Sequence, residues 1–198
     1  MDARLLKADT IVFDVGNVLL AFEPEKVGFL LPAEHREALF HSMFGPDCRW
    51  AAFDLGVETN EAIAQSMADA AGVPDGKDMV LHAYYEFYKT MRPLPLYQMI
   101  PALKGMGKRL FALTNYGEPA FTSACCAFPC LAQLNGMVVS SREKVCKPDP
   151  AIFSLLIQRY GVIPGETLFI DDSLPNTQTA AAIGFRTWHY AGDDVILC

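Results

Sequence analysis

The chain has 198 residues, of which 52% are hydrophobic and 20% charged, and its formal net charge is −7. Such a composition supplies a sizeable buried core, and the length suits one core domain carrying a modest insertion better than two full domains. The acidic balance argues against nucleic acid as a partner, and no apolar run reaches the ~18–20 residues that cross a bilayer.

The N-terminal stretch Met-Asp-Ala-Arg-Leu-Leu-Lys-Ala-Asp has no uninterrupted apolar region of the signal-peptide kind. Thr10–Leu20 follows as Thr-Ile-Val-Phe-Asp-Val-Gly-Asn-Val-Leu-Leu. Ile11, Val12 and Phe13 are β-branched or aromatic and read as a short strand buried on both faces. Gly16 and Asn17 tolerate turn backbones and are expected to break it. Asp14 then stands at the C-terminal end of a buried strand, the edge at which open α/β sheets bind ligands. A carboxylate there is costly to bury without a cation, a set of donors or a chemical task, although a strand-end Asp can also cap a turn.

From Ala21 to Arg92 the pattern turns helical, with patches at Glu25–Leu31, Ala33–Phe44, Asn60–Ala71 and Lys77–Met91 and no convincing strand. This span is too long for an ordinary connection and reads as an inserted helical cap over the strand end. Its aromatic residues Trp50, Phe53, Tyr84, Tyr85, Phe87 and Tyr88 are expected to form the cap core, some of them lining the cleft. Arg92-Pro93-Leu94-Pro95-Leu96 is stiff and marks the return crossing. Helix Tyr97–Met106, strand Lys108–Leu113, helix Glu118–Phe128, strand Met137–Ser140, helix Ala151–Tyr160 with Pro150 near its first turn, strand Thr167–Ile170, helix Thr177–Ile183 and strand Phe185–Tyr190 complete the chain. Strands that are almost wholly apolar, alternating with helices, predict an α/β fold: a Rossmann-like three-layer sandwich with a mostly parallel sheet. Residues 1–20 and 92–198 would form its core and residues 21–91 the small α-helical cap.

Three strands end in chemically capable residues: Asp14, then Thr114 with Asn115, then Asp171 with Asp172. A parallel sheet brings such ends to one edge, within reach of Lys147 on a neighbouring loop. Two hard carboxylates suit Mg²⁺, and the metal, a lysine and a hydroxyl could together stabilise the oxygens of a phosphoryl group. Each residue also has a plainer role. Thr114 and Asn115 can end a strand and cap a helix, and Lys147 can be a solvated surface side chain. The adjacent Asp171 and Asp172 are harder to explain without a cation, because they repel at a buried strand end.

In this order, Phe-Asp-Val-Gly-Asn-Val-Leu, Leu-Thr-Asn-Tyr-Gly, Cys-Lys-Pro-Asp-Pro-Ala-Ile-Phe and Phe-Ile-Asp-Asp-Ser-Leu-Pro-Asn resemble the four motifs of the haloacid dehalogenase-like (HAD) hydrolases. Arg49-Trp50 followed by Phe53, Gly56 and Glu58 is similar to a cap signature of the branch that includes glucose-1-phosphatases. The resemblance implies a Mg²⁺-dependent phosphatase acting on a small phosphorylated metabolite, such as a sugar phosphate, through an aspartyl-phosphate. It implies Asp14 as nucleophile and metal ligand, Thr114 and Lys147 on the phosphoryl group, Asp172 as direct metal ligand and Asp171 beside it. Gly16 would lend its carbonyl to the metal, and Asn17, Asn115 and Asn176 would touch substrate, although Asn176 can equally cap a helix.

One position departs from the family pattern. Most phosphatases of the family carry an Asp two residues after the nucleophile as general acid, and here that position is Gly16. The loss of a general acid costs ~10²–10⁴-fold for poor leaving groups. Slow turnover of alkyl phosphates, and better turnover of anomeric or aryl phosphates, is therefore expected. Two alternatives remain open on the sequence. A 2-haloacid dehalogenase also lacks that Asp, but it usually carries an Arg soon after the first motif, where this chain has Ala-Phe-Glu-Pro-Glu. A non-catalytic phosphate-ligand-binding protein would have no reason to keep adjacent like charges.

Gly105-Met-Gly107 precedes a strand, so it is no dinucleotide fingerprint, and Gly72 to Lys77 is too short for a P-loop. The six cysteines, Cys48, Cys125, Cys126, Cys130, Cys146 and Cys198, match no zinc spacing and read as reduced thiols that fill space. A cytoplasmic protein, monomeric or homodimeric, is the expectation.

Overall fold

Alternate residues of the central strands fall into two separate apolar clusters, and that alternation defines the layers. Ile11, Phe13, Leu110, Ala112, Leu168 and Ile170 join one cluster, while Val12, Phe111, Leu113 and Phe169 join the other. The sheet is thus covered on both faces, as its apolar strands require.

The computed structural model describes residues 2–191. Helix α1 (Ala3–Lys7) leads into β1 (Thr10–Phe13), and β2 (Leu20–Ala21) precedes helices α2 (Pro24–Gly28), α3 (Arg36–Phe44), α4 (Trp50–Leu55), α5 (Asn60–Ala70) and α6 (Lys77–Glu86). The chain returns through β3 (Arg92–Pro93) and continues as α7 (Pro95–Gly105), β4 (Arg109–Thr114), α8 (Ala120–Ala127), β5 (Gly136–Val139), α9 (Ser140–Glu143), α10 (Pro150–Tyr160), β6 (Thr167–Asp171), α11 (Leu174–Ile183) and β7 (Arg186–His189). The main sheet has five strands in the order β5-β4-β1-β6-β7, and every neighbouring pair is parallel. Helices α7 and α8 cover one face, and α10 and α11 the other. This is the expected Rossmann-like α/β sandwich.

The strand order decides where the site lies. β1 is central, with β4 on one side and β6 on the other. Phe13 is in register with Ala112 and Ile170, so Asp14, Thr114 and Asp171 leave the sheet at one edge.

Several element bounds differ from the sequence expectation. The span from Ala21 to Arg92 begins and ends in strand: Leu20 pairs with Pro93 and Ala21 with Arg92 in a two-residue antiparallel ribbon, too short to leave a periodic signal. The helix expected from Ala33 starts at Arg36, because residues 32–35 form a turn closed by the His35 amide on the Pro32 carbonyl. The patch expected over Glu25–Leu31 is helical only to Gly28. That over Lys77–Met91 is α-helical to Glu86 and then tightens into a 3₁₀ turn through Thr90. Thr59 caps α5, accepting from the Ala62 amide, and Asn60 reaches to the Glu118 carbonyl at 2.7 Å.

Ser140 leaves the strand and opens α9. Helix α11 begins at Leu174, since Pro175 suits a first turn. The last strand is shorter than expected by one residue at each end. Helices α1 and α4 had no counterpart in the periodicity. Cys198 lies outside the described residues, and the other cysteines are unpaired.

Candidate functional site

Asp14 follows β1 directly and is buried at its end. Its Oδ1 accepts the Val15 amide at 2.7 Å and the Lys147 ammonium at 2.9 Å. Among the described residues nothing donates to Oδ2. The turn behind it is closed by the Asn17 amide on the Leu20 carbonyl and the Leu20 amide on the Val15 carbonyl. Asn17, not Gly16, adopts the left-handed conformation, with φ 54°, which Asn tolerates. Gly16 keeps negative φ, and a Cβ built on it meets nothing within 4 Å. Neither backbone nor packing demands glycine there.

Lys147 is no solvated surface lysine. Its ammonium is buried between Asp14 and Asp171, 2.7 Å from Asp171 Oδ2. Burial works against its charge, but the two carboxylates outweigh that and raise its pKa. Asp171 is fully enclosed and amply supplied with donors. Oδ1 accepts the Ser173 amide and Asn176 Nδ2, and Oδ2 accepts Lys147 and, at 3.1 Å, the same Asn176 nitrogen. Asn176 therefore orients Asp171 and is not a cavity wall. Asp172 faces the cavity, accepts Asn17 Nδ2 at 3.1 Å and is pushed up in pKa by burial, against the lowering effect of Asn17.

Asn115 is tied to the Lys147 loop by both ends of its amide: Nδ2 donates to the Lys147 carbonyl and Oδ1 accepts the Lys147 amide. Thr114, the last residue of β4, is fully buried, and its hydroxyl has no hydrogen-bond partner. An orphaned buried hydroxyl costs about 1–3 kcal/mol. A ligand oxygen at the strand edge would relieve that cost.

A cavity of about 210 Å³ opens over these groups. Asp14, Gly16, Asn17, Asn115, Tyr116 and Asp172 form its floor, and Phe22, Trp50, Asp54, Phe87 and Met91 face them from the helical segment and its flanks. The aromatic residues of that segment form a packed core. Phe53 stacks on Tyr84 at 3.8 Å between centroids, Trp50 meets Phe53, Tyr84 and Phe87 edge-on, and Phe87 stacks on Tyr116 of the sheet edge at 5.4 Å. Trp50 and Phe87 serve both this core and the cavity wall. The sequence reading singled out neither Asp54 nor Met91. Only the walls they share with Trp50 and Phe87 reveal them.

Asp14, Asp171 and Asp172 each place a carboxylate oxygen within 4.8 Å of the others. Lys147 is the one cation paired with them among the described residues. Burial pushes the Asp14 pKa up, with Lys147 opposing and Asp171 adding to the rise. Three close carboxylates with one ammonium leave an excess of negative charge at the strand ends, and a hard divalent cation fits that donor set.

The family model for haloacid dehalogenase-like hydrolases matches residues 8–184. The sesquiterpene phosphatase astK of Aspergillus oryzae is 21% identical over 196 residues, covering 94% of this chain and 91% of that protein. Acyl-CoA dehydrogenase family member 10 of Mus musculus is 44% identical over 55 residues, 28% of this chain, and the match spans 5% of that protein's length. Among solved structures, a HAD family enzyme of Bacteroides thetaiotaomicron, in complex with magnesium and inorganic phosphate, superposes with a TM-score of 0.78 at 20% identity, over 95% of this chain and 96% of that one. This last likeness is one of fold.

Proposed function

The chain belongs to the haloacid dehalogenase-like hydrolases, and we propose that it is a Mg²⁺-dependent phosphatase that hydrolyses a small phosphate monoester through an aspartyl-phosphate on Asp14. The observation that carries this reading is the asymmetry of Asp14. Lys147 and the Val15 amide hold Oδ1, while among the described residues nothing donates to Oδ2, and the Thr114 hydroxyl at the same sheet edge has no partner. A carboxylate fixed on one oxygen and free on the other is poised as a nucleophile.

In the proposed reaction Asp14 Oδ2 attacks phosphorus, the ester oxygen leaves and water then hydrolyses the aspartyl-phosphate. Lys147 and the Thr114 hydroxyl donate to the phosphoryl oxygens as charge develops on them. Asp171, held by Asn176 and Ser173, positions Lys147. Asn115 fixes the Lys147 loop, and Asn17 fixes Asp172. Asp14, Asp172 and the Gly16 carbonyl would hold Mg²⁺, with Asp171 beside them, and the metal would supply the positive charge that lets a phosphate dianion enter an acidic cleft.

Residues 21–91 serve as a cap on the core formed by residues 1–20 and 92–198. The aromatic cap face formed by Trp50, Phe22 and Phe87 suits the carbon face of the organic group, such as that of a sugar phosphate. The sesquiterpene phosphatase relative supports a phosphatase as the class. A 2-haloacid dehalogenase would need a cation for its carboxylate substrate, and no arginine lines the cavity among the described residues.

A panel of sugar, polyol, prenyl and aryl phosphates, read as kcat/KM with Mg²⁺, tests the proposal. Turnover is expected to vanish with a chelator and in Asp14→Asn. Turnover that survives the chelator would sink the phosphatase reading.

A further inference from the structure

Gly16 leaves the first motif without a proton donor, yet the cavity contains one carboxyl group that the site as described does not use. Asp54 lies in α4, across the cleft from Asp14 on the wall of the same cavity. We infer that Asp54 is the general acid of this enzyme, delivered from the cap to the leaving-group oxygen in place of the carboxyl group absent at position 16. The inference rests on the phosphatase reading and deepens it.

Asp54 is not placed there by a loose side chain. Its own carbonyl accepts the Ser140 hydroxyl at 2.5 Å, across 86 residues, and the same hydroxyl oxygen accepts the Tyr116 amide at 2.9 Å. Two residues on, Gly56 closes α4 with φ +65° and lies so close to Ser141 that a Cβ there would sit 2.8 Å from the Ser141 carbonyl oxygen. The Gly56 carbonyl also accepts Lys144 Nζ. The C-terminal end of α4 is thus pinned to the core at the end of β5, and Asp54 is held over the cleft from that anchorage.

The surroundings favour a carboxyl group that carries a proton. Burial pushes the Asp54 pKa up from 3.8 to about 7, and the negative charge of Asp14 adds to the rise. Lys147 and the Gly117 amide oppose it. The other titratable groups facing Asp54 are Tyr84 and Tyr116, both held neutral by burial, and the half-buried Cys146 thiol, whose pKa burial raises. The donor is therefore protonated up to neutral pH, the condition for efficient general acid catalysis.

The step balances simply. The Asp14 Oδ2–P bond forms as the ester P–O bond breaks, and the Asp54 proton passes to the departing oxygen, giving an alcohol and an Asp54 carboxylate. When water then attacks the aspartyl-phosphate, it returns a proton to Asp54 and releases phosphate from Asp14.

The test compares kcat/KM, which reports steps up to departure of the leaving group, on 4-nitrophenyl phosphate and on an alkyl ester such as glycerol 3-phosphate. Asp54→Asn is expected to lose ~10²–10⁴-fold on the alkyl ester and at least about tenfold less on the aryl ester, whose leaving group needs no proton. With the alkyl ester the unsubstituted enzyme is expected to lose kcat/KM as pH rises past about 7, because the proton leaves Asp54, and Asp54→Asn should lack that limb. A second carboxylate in the Gly16→Asp, Asp54→Asn pair should recover part of the alkyl activity, since the space beside Gly16 is open. Equal loss on the two esters, no loss, or a falling limb that persists in Asp54→Asn overturns the inference and leaves the phosphatase reading standing. An unsubstituted protein that turns over neither ester with Mg²⁺ overturns both. The pH profile of the unsubstituted enzyme needs no variant: kcat/KM on the alkyl ester that does not fall above about 7 overturns the inference even if Asp54→Asn fails to fold.

Discussion

At the scale of single residues, Lys147 shows how far local sequence can mislead. As one lysine after a cysteine it looks like any surface cation. In the fold it is the buried counter-charge of Asp14 and Asp171, which stand far from it in sequence. Removing one partner from a buried charge cluster typically costs about 3–5 kcal/mol, because the remaining charges lose their compensation. Lys147→Met, measured by urea unfolding in chelator at pH 8, is expected to lose stability of that order. The loss should shrink at low pH, where Asp14, already pushed up by burial, takes its proton and needs no counter-charge. A loss below about 1 kcal/mol would show that the cluster is compensated in some other way. The strand-end acids themselves were legible in the sequence, because a carboxylate after an unbroken apolar run has few innocent uses. The donor set of Asp171 was not, since Ser173 and Asn176 act through an N-terminal helical turn whose start the sequence placed three residues late.

At the scale of elements, legibility followed burial pattern. The three central strands, β1, β4 and β6, are almost wholly buried, and all five sheet strands stood out with errors of one residue at their ends. Helix α4 did not. It has six residues, less than two full turns, and its Trp50 and Phe53 pack on aromatic residues of α6 and the turn after it. Its only sequence trace was the spacing of Arg49, Trp50, Phe53, Gly56 and Glu58. Each of these has a physical task in the structure: Trp50 packs the cap and lines the cavity, and Phe53 packs the cap beside the cavity residue Asp54. Arg49 pairs with Glu58 and donates to Ser66, bracing α4 against α5. Gly56 is required both by its positive φ and by contact with Ser141. Gly56→Ala is therefore expected to destabilise by about 1–3 kcal/mol. If α4 carries the acid, it should also lower kcat/KM on alkyl phosphates more than on aryl ones. Thermal melting and the two-ester comparison check both parts, and unchanged stability would mean that α4 is not seated as described.

At the scale of the molecule, one apolar cluster runs from the sheet face through Phe87 and Tyr116 into the centre of the helical segment, reaching Phe53, Ile63, Met67 and Tyr84. Sheet and helical segment therefore share a core, and loss of one exposes the other, so unfolding in a single cooperative transition is expected. The site sits where that shared core meets a cluster of three carboxylates in an already acidic chain. Burial has raised the pKa of Asp14 and Asp172, so the folded state carries an electrostatic cost that the unfolded chain does not. A divalent cation that binds only the folded site removes part of that cost and adds RT ln(1 + [Mg²⁺]/Kd), about 2.7 kcal/mol at one hundred times Kd. For a chain of this length that corresponds to a rise of roughly 5–10 °C in Tm. MgCl₂ is expected to produce such a shift in thermal melting, chelator to reverse it, and Asp172→Asn to abolish most of it while melting as one transition. A Tm indifferent to Mg²⁺ at millimolar concentration would mean that Lys147 alone balances the three carboxylates, and the metal would then have no structural reason to bind.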